Sequence, residues 1–225
     1  MTKKASRELS LSDFVIPSSF DIRASSFGGR AAFTILELLI VITIIIALAG
    51  LILATVGYVQ KKGARSRAEA EITAISAACE SYKADNGIYP RGPVAVMTIG
   101  STTIPANVTD TLDAKASGSP TSTTTPTYSQ TSLYLYTQLS GDSTGSRSAT
   151  GKSYMQFNPN MLLPRGGAGT VTAISDPFGN SYGYSTANQA SSSAGYNPTF
   201  DLWSTAGLTT TPPTDTITAQ WIKNW

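Results

Sequence analysis

The chain of 225 residues has no histidine and a single cysteine, Cys79. Without histidine, Ser-His-Asp and Cys-His catalysis lose their base, and zinc loses its commonest ligand. One cysteine permits no internal disulfide. Charge is scarce as well, at 13 % of residues. The first 32 residues carry Lys3, Lys4, Arg7, Arg23 and Arg30 against Glu8, Asp13 and Asp21, which leaves eleven charges of each sign in the remainder. A neutral remainder gives no basic field for nucleic acid, and no basic-aromatic patch supplies one locally. There are no clustered acids, no glycine-rich phosphate loop and no Cys/His set. The expectation is a protein that is not an enzyme and that works without a cofactor.

What the chain does have is an uninterrupted apolar run from Leu38 to Val59, free of charge and of proline. Its 22 residues make about 33 Å of helix, enough to cross a bilayer core. Glu37 stands at its edge. A carboxylate there costs on the order of 3 kcal/mol unless it finds a partner. A free amine, created by cutting the chain just before Phe33, is the strongest nearby candidate. A helix beginning at Phe33 carries its acid in the second turn, where the helix dipole favours negative charge.

The stretch Ala32, Phe33-Thr34-Ile35-Leu36-Glu37, then Leu38-Leu39-Ile40-Val41-Ile42 resembles the processing site of type IV prepilins and of the pseudopilins of type II secretion. The resemblance combines a small residue, the Phe-Thr start, the acid four residues on and the long span. Ala32 departs from the glycine usual at that place. The resemblance implies that a prepilin peptidase cuts between Ala32 and Phe33 and N-methylates the new amine of Phe33. It also implies that Glu37 meets the Phe33 amine of a neighbouring subunit as a filament assembles. Many type IVa pilins close a C-terminal loop with a disulfide, so a lone cysteine leans toward the pseudopilin branch.

Residues 1–32 are polar and punctuated by Pro17, Ser18, Ser19, Gly28 and Gly29, and read as a cleaved cytoplasmic leader. An ordinary secretory signal is the rival, with Arg30 as its basic region and Ala47-Leu48-Ala49 as its cleavage site. The apolar run continues past Ala49 and Glu37 sits inside the supposed core, and both features oppose it. A plain single-pass anchor explains the span but neither Glu37 nor the Phe-Thr start. Orientation has one conflict: Lys61, Lys62, Arg65 and Arg67 follow the span, and the positive-inside rule favours them in the cytoplasm. The motif places the leader in the cytoplasm and the C-terminal domain in the periplasm.

Beyond the span, Ala68, Ile72, Ile75, Cys79 and Tyr82 recur at steps of three and four, a helical stripe on which Cys79 is a buried thiol. Glu80 and Lys83 are spaced to pair at i, i+3. Asp85-Asn86-Gly87, with Pro90 beyond, predicts the helix stop. One helix of roughly 80 Å then runs from Phe33, with its transmembrane, polymerising segment at 33–59 and its end near 86. Gly50, Gly57 and Gly63 weaken it by about 1 kcal/mol each. Many family members carry proline where Ala54 stands. Ser81 to Pro90 also resembles the end of the major pseudopilin helix, independently of the cleavage motif.

Residues 87–225 read as a β domain with a Thr/Ser-rich variable loop. Residues 91–155 are rich in Thr, Ser, Gly and Pro, and Thr121 to Thr127 contains nothing but Thr, Ser and Pro, the composition of a surface loop. Leu133 to Leu139 is an apolar island read as a short helix packing on the sheet. Ala173-Ile174-Ser175, the turn Asp176-Pro177-Phe178-Gly179-Asn180, and Ser181-Tyr182-Gly183-Tyr184 read as strand, turn and strand, with Thr199 to Ser204 as a third strand. The fold class is therefore α+β: a long N-terminal helix, half transmembrane and half amphipathic, packed on a small antiparallel sheet in the pilin manner. Asp-Pro-Phe-Gly-Asn followed by Asp-Leu-Trp-Ser is similar to the closing sheet of major pseudopilins.

In that family the loop after this strand holds calcium through carbonyls and several aspartates. Calcium takes six to eight oxygens. Here the loop from Ala206 to Ile217 has one acid, Asp215, with threonines in place of aspartates, so a Pro-rich loop locked without metal is the expectation. If calcium binds, the carbonyls of Leu202 and Ser204 with Asp215 are the ligands. The resemblance implies a homo-oligomeric helical filament assembled from the bacterial inner membrane. Its partners are the prepilin peptidase, other pseudopilins and the inner-membrane assembly platform; nucleic acid is not among them. The alternatives are a surface type IV pilin for adhesion, motility or DNA uptake, and a signal-anchored extracytoplasmic binding domain.

Overall fold

A computed structural model of the chain describes residues 34–120, 127–209 and 213–225. The leader, including Ala32, and Phe33 lie outside the described residues, as do residues 121–126 of the Thr/Ser tract. Two compact units divide between Leu51 and Ile52.

Helix α1 spans Ile35–Asn86, 52 residues and about 78 Å. No proline interrupts it. It ends where the sequence predicts: Gly87 takes φ +79° and its N–H reaches the Lys83 carbonyl at 2.7 Å, a left-handed cap that only glycine adopts without strain. From Ile35 to Val59 the large apolar side chains are exposed, Ile35 by 87 % and Val59 by 63 %. This part is long and apolar enough to cross a membrane. The hydroxyls of Thr43 and Thr55 donate to the carbonyls of Leu39 and Ile52, at 2.8 and 2.9 Å, so neither asks a polar partner of its surroundings.

The later part of α1 buries Ala68, Glu71, Ile72, Ile75, Ala78 and Cys79. That is the expected stripe, with Tyr82 only half-buried and Glu71 and Ala78 added. Glu80 and Lys83 meet through a third residue: Lys83 Nζ donates to the Tyr89 hydroxyl (3.2 Å), which donates to Glu80 Oε1 (3.0 Å).

Among the described residues the β structure is three small antiparallel sheets. Strands β1 (Met97–Ile99) and β2 (Thr102–Ile104) form a hairpin. Strands β3 (Leu162–Leu163) and β4 (Ala173–Ile174) pair next. Strands β5 (Gly183–Ser185), β6 (Asp201–Ser204) and β7 (Ile222–Lys223) form the third sheet, in that order. The expected hairpin around Asp176 is only its turn: Ser175 and Ser181 form one bridge, after which β4 joins β3 while β5 joins β6. Helices α2 (Val108–Thr111), α4 (Ala187–Ala190) and α5 (Asp215–Thr218) are single turns.

The apolar island grows into α3, Tyr128–Ser140. Its start is a capping box: Gln130 N–H donates to Thr127 Oγ1, and Thr127 N–H donates to Gln130 Oε1 at 2.8 Å. Gly141 at φ +74° ends it. α3 is buried on nearly every side and packs against β2, β4 and β5. The surface-loop reading of residues 91–155 is thus corrected. Ile99, Ile104, Val108, Leu133, Leu135 and Leu139 from this segment lie in the main core, with Ile75 and Cys79 of α1 and Tyr182, Tyr184 and Leu202 of the sheet. An average composition rich in Thr and Ser conceals apolar residues that are few and well spaced.

A second, aromatic core gathers Leu112, Ala114, Tyr128, Trp203 and Trp221. Trp203 Nε1 donates to the Tyr128 hydroxyl at 3.0 Å, which donates in turn to the Ser117 carbonyl, so one chain of donors links β6, α3 and the segment before the Thr/Ser tract.

Candidate functional site

The described part of the expected processing motif is the start of α1. Thr34 precedes the first helical turn, and its hydroxyl accepts the Glu37 N–H at 3.1 Å while its carbonyl accepts the Leu38 N–H at 3.1 Å. Thr34-Ile35-Leu36-Glu37 thus has the Thr-x-x-Glu spacing of a capping box, with Thr34 as N-cap. The spacing was open to reading in the sequence, where the acid invited only an electrostatic reading. The backbone N–H at N3 is satisfied locally, and the Glu37 side chain is exposed and forms no ion pair among the described residues. The first downstream base is Lys61, about 36 Å along the helix.

The two C-terminal motifs, far apart in sequence, converge on Asp176. One oxygen of its buried carboxylate accepts the N–H groups of Phe178 and Asn180, at 3.0 and 2.8 Å; the other accepts the Ser204 hydroxyl at 2.5 Å. Burial pushes its pKa above the usual aspartate value, against the pull of these hydrogen bonds. Asp201 is buried in the same way: its carboxylate accepts the N–H groups of Tyr196 and Asn197, each at 2.8 Å, and burial raises its pKa too. Both aspartates of the Asp-Pro-Phe-Gly-Asn and Asp-Leu-Trp-Ser motifs therefore tie loops to strands. Between them Gly183 faces Trp203 in register, and a Cβ on Gly183 would stand 2.3 Å from the indole ring.

Of the residues expected to ligate calcium if it binds, Leu202 and Ser204 lie in β6 and Asp215 opens α5. The Leu202 carbonyl accepts the Asn224 N–H at 3.2 Å. Ser204 pairs with Ile222 in the sheet and spends its hydroxyl on Asp176. Asp215 is exposed in the first turn of α5, where a carboxylate suits the helix dipole. Thr210, Thr211 and Pro212 of that loop lie outside the described residues. Among the described residues no three His, Cys, Asp or Glu side chains cluster closely enough to hold an ion. The cavity beside Ala206, Gly207 and Leu208 is lined by Lys61, Lys62 and Arg65. Its described lining carries three cations and no carboxylate.

One contact outside the expected set ties α1 to Tyr182, the residue before β5. Tyr182 OH donates to Glu71 Oε2 at 2.8 Å, and Arg67 Nε donates to Glu71 Oε1 at 2.7 Å. Nothing in the sequence singles out Glu71 except that it is an acid on the edge of the apolar stripe.

No family model, no curated protein and no solved structure matches the chain.

Proposed function

We propose that the chain is a structural subunit of a helical filament, built from the inner membrane after a prepilin peptidase cuts between Ala32 and Phe33, and most like the major pseudopilin that serves type II secretion. The observation that carries this reading is the helix α1 itself. It has an apolar part exposed on all sides, an acid in its first turn, and an amphipathic continuation whose buried stripe belongs to a folded α+β domain. An apolar helix of that kind is stable in lipid or among copies of itself. A subunit that leaves the bilayer for a filament core uses both surroundings in turn.

Glu37 needs an opposite charge in each of them. On this reading the N-methylated Phe33 amine of the neighbouring subunit supplies it, being at the same depth, and the pairing sets the register of successive subunits. The α+β domain forms the outer surface of the filament. The protein is then no enzyme and needs no cofactor; its partners are copies of itself, other pseudopilins, the prepilin peptidase and the assembly platform.

Intact-mass analysis of membrane-extracted protein tests the processing. The expected mature chain begins at Phe33 and carries one methyl group. A chain beginning at Gly50 would return the segment to an ordinary secretory signal.

A further inference from the structure

A groove of about 750 Å³ opens just past the apolar part of α1. Tyr58, Lys61, Lys62 and Arg65 line it together with Phe178 and Leu208. No acidic residue lines it among the described residues. The ion pairs among the described residues are Arg67–Glu71, Arg91–Asp110 and Lys152–Asp85, none of them in the groove, so its three cations pair with no described carboxylate. Lys61 and Arg65 are four residues apart on one helix face, where like charges repel unless an anion lies between them.

The groove's place along the chain narrows the anion. Lys61 follows Val59, the last residue of the exposed apolar run, by two residues, about 3 Å of helix rise. Where the hydrocarbon ends, the phosphate layer of a bilayer begins. Tyr58, 70 % exposed, stands where aromatic side chains settle at membrane interfaces. Phe178 and Leu208 add an apolar flank that a bare phosphate has no use for.

We propose that this groove holds the headgroup of one anionic phospholipid in the leaflet from which the folded domain emerges. Lys61, Lys62 and Arg65 take its phosphodiester, and Phe178 and Leu208 lie against its glycerol and first methylenes. The proposal rests on α1 crossing a membrane. Its consequence is a subunit anchored at a set depth, with Glu37 presented at the opposite end of the span.

The test uses the full chain in nanodiscs of equimolar phosphatidylglycerol and phosphatidylcholine, followed by native mass spectrometry of the lipids that stay bound. Each basic residue near an anionic surface is worth about a fivefold preference. Phosphatidylglycerol is therefore expected to exceed phosphatidylcholine by at least about tenfold on the wild type. The triple variant Lys61→Gln/Lys62→Gln/Arg65→Gln is expected to fall to within about twofold of parity, and Lys61→Arg/Lys62→Arg to keep the preference. Leu208→Glu, which places an acid in the groove with all three cations intact, is expected to lower it as well; tryptophan fluorescence checks that each variant is folded. Equal retention by the wild type, or an unchanged preference in the folded triple variant, overturns the proposal. Inorganic phosphate that displaces the lipid at millimolar concentration overturns the lipid assignment in favour of a free anion. A chain that fails to insert into neutral nanodiscs sinks the spanning reading and the groove with it, whereas insertion without selection sinks the groove alone.

Discussion

Glu37 has two claims on it at the scale of a single residue. Its N–H is held by the Thr34 hydroxyl, and its carboxylate has no base within its own span. Substitutions separate the two. Thr34→Ala removes the cap and weakens the helix start by about 1 kcal/mol, leaving the charge in place, so filaments still form. Glu37→Leu keeps the cap's backbone contact and removes the charge. It is expected to be inserted and cut like the wild type, with sheared filament yield falling at least about tenfold, since a neighbour's amine left unpaired at membrane depth costs on the order of 3 kcal/mol. Glu37→Asp falls between them, because the shorter side chain reaches less far. Wild-type yield from Glu37→Leu would reduce Glu37 to a peptidase landmark. Gly183 is a second residue whose size decides something. Its missing Cβ is the space the Trp203 indole fills, so Gly183→Ala forces a buried ring that also donates to Tyr128 to move. The expected cost is about 1–3 kcal/mol in denaturant unfolding. A neutral result would mean that the aromatic core is softer than its packing indicates.

Among the elements, α3 rather than α1 is the one that the small sheets surround. Its boundaries come from local chemistry: the reciprocal Thr127–Gln130 box at one end and the left-handed Gly141 at the other. Its interior is set by Leu133, Leu135, Leu139 and the tyrosines between them, all buried. Thr127→Ala breaks one half of the box and leaves a helix N–H without its acceptor. The expected loss is about 1 kcal/mol, read as a lower melting temperature. α1 is the contrasting element. Its stop at Gly87 is also local, but its two parts differ in what covers them: the stripe from Ala68 to Cys79 is buried in the folded domain, and the run from Ile35 to Val59 is bare.

For the whole molecule, pH is the variable that the buried carboxylates make informative. Burial raises Asp176 and Asp201 above the usual aspartate value of 3.8. The folded chain then holds their protons more tightly than the unfolded chain, so stability grows as pH falls through the raised values toward 3.8. Asp142 goes the other way: burial raises it, but hydrogen bonds from Tyr136, Thr144 and Arg147 outweigh burial and lower it below 3.8. Asp85, bonded by Lys152, is lowered as well. Their contributions are present above 3.8 and are lost as pH falls through their lowered values. The melting temperature of the full chain in detergent is therefore expected to rise from pH 7 into the mildly acid range and to drop below about pH 4. Asp176→Asn should flatten the rise and leave the drop. A melting temperature that falls steadily from pH 7 would show that the hydrogen bonds to Asp176 and Asp201 outweigh their burial.

The sequence alone determined what depends on near neighbours. An unbroken apolar run makes a helix of membrane length whatever surrounds it, Asn86-Gly87 stops that helix because a left-handed residue must follow, and Asp176 to Asn180 turns because Pro and Gly leave the backbone few other choices. Thr34 as a cap was equally legible, since Thr-x-x-Glu is a local pattern. The α+β class followed from the same local signals. Tertiary structure decided what depends on distant partners. Which strand pairs with β4, why Glu71 is buried against Tyr182, how Trp203 comes to lie over Gly183, and that cations rather than acids face the Ala206–Leu208 turn are all set by contacts between residues scores of positions apart. Propensity and periodicity act over a few residues, and burial is assigned only when the whole chain has closed on itself.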